Sequence, residues 1–297
     1  MIDIREKIEE YLNINDIKIE YFKEYPHVFR LLTNNSKYIG KILDKSRLLC
    51  DDINSLFSLL SQNCYLEVPV LIDKKYGIDL DTKFIVFYNI LDEIKENPSS
   101  KWWANSLSSI HLLNSSENNK KYFKTTFYDE TITLFNLARE KLDYDILNYF
   151  EYILNNSNLD IDYKDIKYVL CHNDPYNLNV MKSGDNLKLI DLDCVGLSPS
   201  EYDIERLLIN EIINSDSNNF ENFLHKFLEK YEEETNYRVN LSLLKKIFLL
   251  DLIRVYSWLI LVTNTEGRAD KNRQIFQLEL RNKSIRDERI NNFIKKL

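Results

Sequence analysis

Residues 169–194 read Val169-Leu170-Cys171-His172-Asn173-Asp174-Pro175-Tyr176-Asn177-Leu178-Asn179-Val180-Met181-Lys182-Ser183-Gly184-Asp185-Asn186-Leu187-Lys188-Leu189-Ile190-Asp191-Leu192-Asp193-Cys194. An apolar run, Val169 to Cys171, gives way to a polar loop in which His172, Asp174 and Asn179 stand at the spacing H-x-D-x-x-x-x-N. Two alternating arms follow, Leu178 to Lys182 and Leu187 to Asp191, around Ser183-Gly184-Asp185-Asn186. They form a β-hairpin whose Gly and Asn tolerate the unusual backbone angles of a turn. The hairpin folds the chain back, so Asp191, twelve residues after Asn179, ends a strand beside the loop that carries Asp174. Oxygen-bearing side chains from two stretches are thereby gathered in one place, the kind of ligand that a hard divalent cation takes.

This spacing is the catalytic-loop pattern of kinases, in which the Asp accepts the proton of an attacking hydroxyl and the Asn helps to hold Mg²⁺ on nucleotide phosphates. In that pattern Asp174 is the catalytic base, and Asn179 and Asp191 are the metal ligands, Asp191 the principal one. Phosphoryl transfer needs the metal because charge on the transferred group is neutralised while the two reacting oxygens are held in line. Strand alternation points Asp193 to the same side as Asp191, as a second metal contact or a solvated neighbour. His172 reads as an anchor of the loop rather than as a general base.

The stretch from Cys171 to Ile209 resembles the aminoglycoside phosphotransferase family, with choline and homoserine kinases as cousins. Flanking matches extend the resemblance over most of the chain. Leu107-Ser108-Ser109-Ile110-His111 is similar to that family's helix ending in Leu-His, and Gly196 through Glu201-Tyr202-Asp203-Ile204 to its Gly-x-x-x-x-Asp-Leu segment. The resemblance implies an α+β, bilobal protein kinase-like fold, with a small antiparallel-sheet N-lobe over residues 1–90 for the nucleotide. Residues 91–297 are then a larger, mainly helical C-lobe with the catalytic loop and the acceptor site.

In the first lobe, Tyr38-Ile39-Gly40-Lys41-Ile42 resembles the third-strand Val-Ala-Ile-Lys signature, which assigns Lys41 to the α and β phosphates. Phe84 to Ile90 resembles the strand leading to the hinge, where Tyr88 and Ile90 bind the purine by main chain only. The helix that presents a Glu to the lysine in protein kinases offers Asp51 and Asp52 instead, with Asp52 preferred. Lys23 to Val28 holds no glycine where protein kinases place a Gly-rich phosphate loop. The implied cofactors are ATP, or alternatively GTP, and Mg²⁺.

Beyond these motifs, strands are expected at 17–22, 28–32, 37–43 and 83–88, an extended stretch at 68–71 and a helix at 50–60. Helical spacing of apolar residues marks 102–113, 127–137, 146–154, 220–231 and 243–262. The last of these contains Asp251 and Arg254 and falls short of the roughly 20 apolar residues of a membrane crossing, so it reads as a buried helix. From Thr265 to Leu297 nine Lys or Arg stand against five Asp or Glu, which suggests a solvated helical face. Trp102, Trp103 and Trp258 read as core or pocket wall, and His27, His111 and His225 as structural residues.

With 297 residues and only five Gly and five Pro, the chain has the length for two lobes and little composition suited to disorder. Its formal charge of −8 argues against an extended nucleic-acid surface. Four cysteines without a C-x-x-C pair speak against a zinc site, and an N-terminus without an apolar core reads as a cytoplasmic protein with free thiols. A small-molecule acceptor is the expected partner, with neither nucleic acid nor membrane, for a monomer or weak dimer.

These features point to a nucleotide-dependent O-phosphotransferase acting on a hydroxyl of a small cationic molecule, an aminoglycoside-type antibiotic before others. Glu201, Glu232, Glu233 and Glu234 are the candidates to grip that cation, though the run Glu232 to Glu234 also reads as a solvated helical face. A metabolic kinase of choline, ethanolamine, homoserine or a sugar is the alternative within the class. Outside it stands a nucleotide-binding pseudokinase.

Overall fold

Five strands of alternating or wholly apolar character open the chain and pair into one antiparallel sheet. The computed structural model describes residues 4–23, 25–45, 52–72, 74–113, 121–214, 217–263, 271–286 and 288–297. Helix α1 (Ile4–Leu12) precedes β1 (Lys18–Phe22), β2 (Tyr25–Leu32) and β3 (Lys37–Asp44); α2 (Ile53–Leu60) then leads to β4 (Gly77–Asp79) and β5 (Lys83–Asn89). The order is β1-β2-β3-β5-β4. One face packs Phe29, Leu31, Ile85 and Phe87 against Ile8 and Ile17. The other turns Leu43, Phe84 and Val86 toward the larger core that includes α2. Strand β5 is therefore apolar at every position from Phe84 to Phe87, as a strand covered on both faces must be.

Glycine is required at two places in this sheet, Gly77, where a Cβ would fall 2.2 Å from the Ile85 carbonyl oxygen, and Gly40. Gly40 lies opposite Phe29 in the β2–β3 register, and a Cβ there would fall 2.2 Å from the Phe29 ring. The absent side chain lets the tip of the ring close on β3, one residue before Lys41.

The second lobe is helical around a small β-structure. Strand β6 (Asp92–Glu93) is followed by α3 (Ser100–His111), α4 (Phe127–Ala138) and α5 (Tyr144–Asn156), and these by β7 (Tyr168–Cys171), β8 (Val180–Ser183), β9 (Asn186–Leu189) and β10 (Gly196–Pro199). Helices α6 (Ser200–Asn214), α7 (Ser217–Thr235), α8 (Leu241–Thr263), α9 (Lys271–Arg286) and α10 (Arg289–Lys296) complete it. The hairpin β8–β9 turns at Gly184, whose φ of 59° is the left-handed backbone expected from the sequence. It pairs through β8 with β6, while β10 pairs with β7. Helix α8 buries residues on most of its circumference, from Leu244 to Leu259 and including Asp251. Among the described residues no helix is long and apolar enough to cross a membrane.

The chain end corrects one expectation. Rather than a solvated face, α9 and α10 bury Ile285, Ile290 and Phe293 together with Arg281 and Ser284. Charged residues interleave with these few apolar ones, so the local pattern hides a packing decided by α6 and α8. The cysteines described, Cys64, Cys171 and Cys194, are free thiols.

Gly40→Ala should lower stability by about 1–3 kcal/mol, the usual cost of overpacking a filled core. Urea denaturation would read this as a lower midpoint at unchanged m-value.

Candidate active site

Strand β3 delivers Lys41 to the cleft between the lobes, because alternation puts Ile39 and Lys41 on one face, opposite Tyr88 and Val86 of β5. The Lys41 ammonium lies 2.6 Å from Asp191 Oδ1 and 2.8 Å from Asp193 Oδ2. Burial works to lower the lysine pKa, but Asp193 and Asp191 outweigh it and hold the ammonium above the ordinary lysine value. At Asp191 burial is likewise outweighed, here by Lys41, and the carboxyl stays below its usual range. At Asp193 burial wins with help from the Asp191 charge, and the carboxyl sits above it.

Asp191 itself has φ 66° and ψ 59°, two residues beyond the end of β9. Left-handed backbone costs a non-glycine residue on the order of 1 kcal/mol, least for Asp and Asn. Asn173, at the other end of the site, has φ 67°. The two unusual residues flank a loop that hydrogen bonds hold from three sides.

His172 is the first tie. Its Nε2 donates to the Ile190 carbonyl at 2.9 Å, which leaves Nδ1 to accept from the Asp174 amide at 3.3 Å. The imidazole thus joins the loop to the residue before Asp191 and is the anchor the sequence suggested. The second tie is Asp203 at the start of α6, fully buried, which accepts from the His172 amide at 2.8 Å and the Asn173 amide at 2.6 Å. His111, at the end of α3, donates Nε2 to the same carboxylate at 3.0 Å while its Nδ1 accepts from the Tyr231 hydroxyl. Asn173 supplies the third tie, donating to the Cys194 carbonyl at 2.8 Å and accepting from the Ser198 hydroxyl at 2.6 Å.

So held, Asp174 receives two neighbours. Asn179 Nδ2 donates to its backbone carbonyl at 2.9 Å and to its Oδ2 at 3.3 Å, and Arg206 Nη2 lies 2.9 Å from its Oδ1. Since the Asn179 nitrogen faces Asp174, its Oδ1 is the atom left to meet a cation. Asp191, Asp193 and Asn179 together offer hard oxygen donors suited to Mg²⁺, and the two carboxylates already converge on a single positive charge, that of Lys41.

Two cavities meet these residues. The larger, of about 720 Å³, is lined by Lys41, Asp191, Tyr88, Ile90 and Glu67 among others. The smaller, of about 270 Å³, is lined by Asp174, Arg206, Arg281, Trp258, Asn210 and Gln277 among others. Both lie in the range of small-ligand sites or just below it.

Lys41, Asn179, Asp174 and Asp191 are therefore brought together as expected, and Tyr88 and Ile90 reach the larger cavity. Asp52 is not brought to Lys41. Helix α2 begins at Ile53, and Asp52 takes its N-cap, accepting from the Ser55 amide at 3.1 Å, while Lys41 finds its partners in Asp191 and Asp193. Asp51 lies outside the described residues.

The four glutamates expected to hold the acceptor also stand elsewhere. Glu201 is buried and accepts from the Tyr237 hydroxyl at 2.7 Å and the Asn240 amide at 2.9 Å; Glu232 accepts from the Val239 amide at 3.2 Å. Glu233 and Glu234 pair with Lys230 at 2.9 and 2.5 Å. None of the four lines the Asp174 cavity. Their spacing serves helix caps and intrahelical pairs, which sequence alone does not distinguish from a binding patch.

Several side chains that line the cavities were not expected there from the sequence. Glu67, in an irregular segment, and the Tyr88 side chain enter the larger cavity. The Tyr88 hydroxyl is buried without a partner, and burial, then Asp193, Asp191 and Glu67, raise its pKa well above the ordinary value. Arg206 and Arg281 enter the smaller cavity. Arg206 stands one helical turn after Asp203, a spacing that places both on one side of α6 and could have flagged it.

Removing the buried Asp203 carboxylate, as in Asp203→Ala, leaves two loop amides and His111 without their acceptor. The expected loss is on the order of 3 kcal/mol, visible as a lower urea midpoint.

No protein-family model and no curated sequence matches the chain. Solved structures do match it in fold. A spectinomycin phosphotransferase bound to AMP superposes with a TM-score of 0.68 at 16% identity, over 94% of this chain and 96% of that one. The choline kinase LicA from Streptococcus pneumoniae gives 0.61 at 18% identity, over 96% and 98%. Plasmodium vivax ethanolamine kinase gives 0.54 at 13%, over 90% and 82%. The chain thus has the bilobal, kinase-like fold of aminoglycoside phosphotransferases and of choline and ethanolamine kinases, with a sheet lobe and a helical lobe.

Proposed function

We propose that this chain is a small-molecule kinase, moving the γ-phosphoryl group of ATP or GTP to a hydroxyl of an acceptor in the cavity over Asp174. One observation carries the reading. Asp191 lines the larger cavity and Asp174 the smaller, and the His172 and Asn179 hydrogen bonds fix the two carboxylates within one rigid unit. Neighbours of like fold are described with AMP and with ADP and spectinomycin, which makes the larger cavity the nucleotide site by analogy.

In this mechanism Lys41, kept charged by its aspartates, meets the α and β phosphates. The main chain around Tyr88 to Ile90 receives the purine. Asp191 and Asn179, with Asp193 beside them, would hold Mg²⁺, which when bound neutralises charge on the phosphates. The acceptor hydroxyl hydrogen-bonds to Asp174, whose other oxygen is held by Arg206, and passes its proton to that carboxylate as the phosphoryl group arrives. Positioning supplies most of the rate, since two bound reactants meet with their entropy of association already lost.

The motifs, the acidic balance and the helical lobe suggested a cationic, aminoglycoside-type acceptor, with Glu201 and Glu232 to Glu234 to grip it; these four do not line the Asp174 cavity, and the proposal stands without that acceptor. A pseudokinase would bind nucleotide and transfer nothing, and the same assay detects that outcome.

Asp174→Ala should abolish acceptor-dependent release of ADP while nucleotide affinity stays within a few-fold, because the base touches the acceptor and not the nucleotide. Near-native turnover in this variant would remove Asp174 from the role. Asp191→Ala should weaken Mg²⁺-dependent nucleotide binding as well as turnover. Titration of nucleotide by calorimetry, with and without Mg²⁺, checks the second variant, and an unchanged Mg²⁺ dependence would contradict the metal assignment.

A further inference from the structure

The smaller cavity has a wall of unusual charge. Three arginines converge behind Asp174: Arg206 on α6, Arg254 on α8 and Arg281 on α9. Two of them are engaged. Arg206 bridges Asp174 at 2.9 Å and Asp251 at 3.1 Å, and Arg254 donates to Asp251 through Nε at 2.9 Å and to the Tyr202 hydroxyl at 2.9 Å. Arg281 is different. It lines the cavity with only 3% of its surface exposed, and its Nε and Nη1 are buried with no hydrogen-bond partner. Arg206 Nε is a third buried donor without an acceptor on the same wall.

Such a group is an exception that needs a cause, since guanidinium donors are costly to bury unpaired. Asp251 is fully buried and already serves Arg206 and Arg254. Glu205, on α6, is fully buried, does not line the cavity and has both carboxyl oxygens without a partner. Burial, then the Asp251 charge, push its carboxyl well above the usual range. Of the carboxyls near the three guanidiniums, only Asp174 and Asp251 accept hydrogen bonds from them. Burial, followed by the Arg206 charge, lowers the Arg281 pKa to about 10, still a cation near neutral pH.

We infer that the acceptor is a hydroxy compound bearing an oxyanion, a carboxylate or a phosphate, whose hydroxyl meets Asp174 while its anionic end is bound by Arg281 with help from Arg206. This rests on the phosphotransferase reading above and narrows it to a substrate class. A guanidinium presents a planar fork of donors matched to two oxygens of a carboxylate or phosphate. The ligand supplies the acceptors the wall lacks once the Arg281 head group turns about its terminal bonds. A polycation would meet two guanidiniums instead and be repelled, and the cavity of about 270 Å³ suits a small acid better than a multi-ring drug.

The test is a panel of small hydroxy compounds in matched sets, each skeleton offered as carboxylate, phosphate monoester, neutral amide and amine. Full-length protein with saturating Mg²⁺-ATP is assayed for ADP release above its intrinsic hydrolysis, and binding of each compound is followed by calorimetry. Turnover or binding is expected with the anionic members only, and the carboxylate and phosphate arms tell the two sources apart. With the best acceptor, Arg281→Gln should raise acceptor KM by about tenfold or more, the loss of a charge-assisted hydrogen bond, while nucleotide KM stays within a few-fold. Arg281→Lys should recover part of the loss. A neutral or cationic best acceptor, an acceptor KM untouched by Arg281→Gln, or a protein that hydrolyses ATP yet neither binds nor turns over any anionic compound would each overturn the inference and leave the phosphotransferase reading standing. Failure of that broader reading has a separate signature, either the absence of nucleotide binding or nucleotide binding without any ADP release. If Arg281→Gln lowers the melting temperature too far to assay, the wild-type panel decides alone.

Discussion

A carboxylate buried without solvent must find donors, and at Asp203 those donors are the backbone amides of the loop that carries Asp174. The amides of His172 and Asn173 and the ring of His111 converge on it. Because an unpaired buried charge costs several kcal/mol, the loop has little freedom to leave this path. Its left-handed turn at Asn173 follows from the constraint, as does the direction in which Asp174 emerges. His111 brings α3 and, through Tyr231, α7 into the same arrangement, so three helices and one loop share a single anionic anchor.

From that anchor the site extends across the two lobes. His172 ties the loop to Ile190, and the next residue, Asp191, meets Lys41 from the sheet lobe 150 residues away in sequence. Lys41 stands where it does because β3 is pinned between β2 and β5, with Phe29 lying over Gly40. A lysine between two aspartates is more than a contact between lobes. It also lets a cation and two anions satisfy one another within a single cluster.

Behind Asp174 the helical lobe carries an electrostatic arrangement of a different kind. Asp251, on the buried helix α8, draws in Arg206 and Arg254, and Arg281 joins from the C-terminal helices. Charges of this density are tolerated in a protein interior only when their pairing is nearly complete. The incomplete part, at Arg281 Nε and Nη1 and Arg206 Nε, belongs to side chains that line the cavity beside Asp174.

The strands, the helical lobe and the trio Asp174, Asn179 and Asp191 were legible in the sequence because they are encoded locally. Period-two and helical apolar patterns, the Gly184 turn and a loop whose residues lie within a dozen positions of each other need no knowledge of distant partners. Lys41 was readable for the same reason, from its strand. What lay beyond reach was set by long-range packing. Whether Asp52 caps a helix or meets Lys41 depends on where α2 starts. Whether Glu201 binds a ligand or the Tyr237 hydroxyl depends on how α6 lies beside the segment that follows α7. The charge-rich tail gave no apolar periodicity from which to expect that Arg281 would be buried beside Asp174. By itself, the sequence determined the two lobes and the identity of the loop and hairpin residues that meet in the cleft. Only the tertiary structure decided which charges neutralise one another and which face a cavity, because electrostatic pairing depends on distance in space and on burial, neither of which is a property of neighbouring residues in the chain.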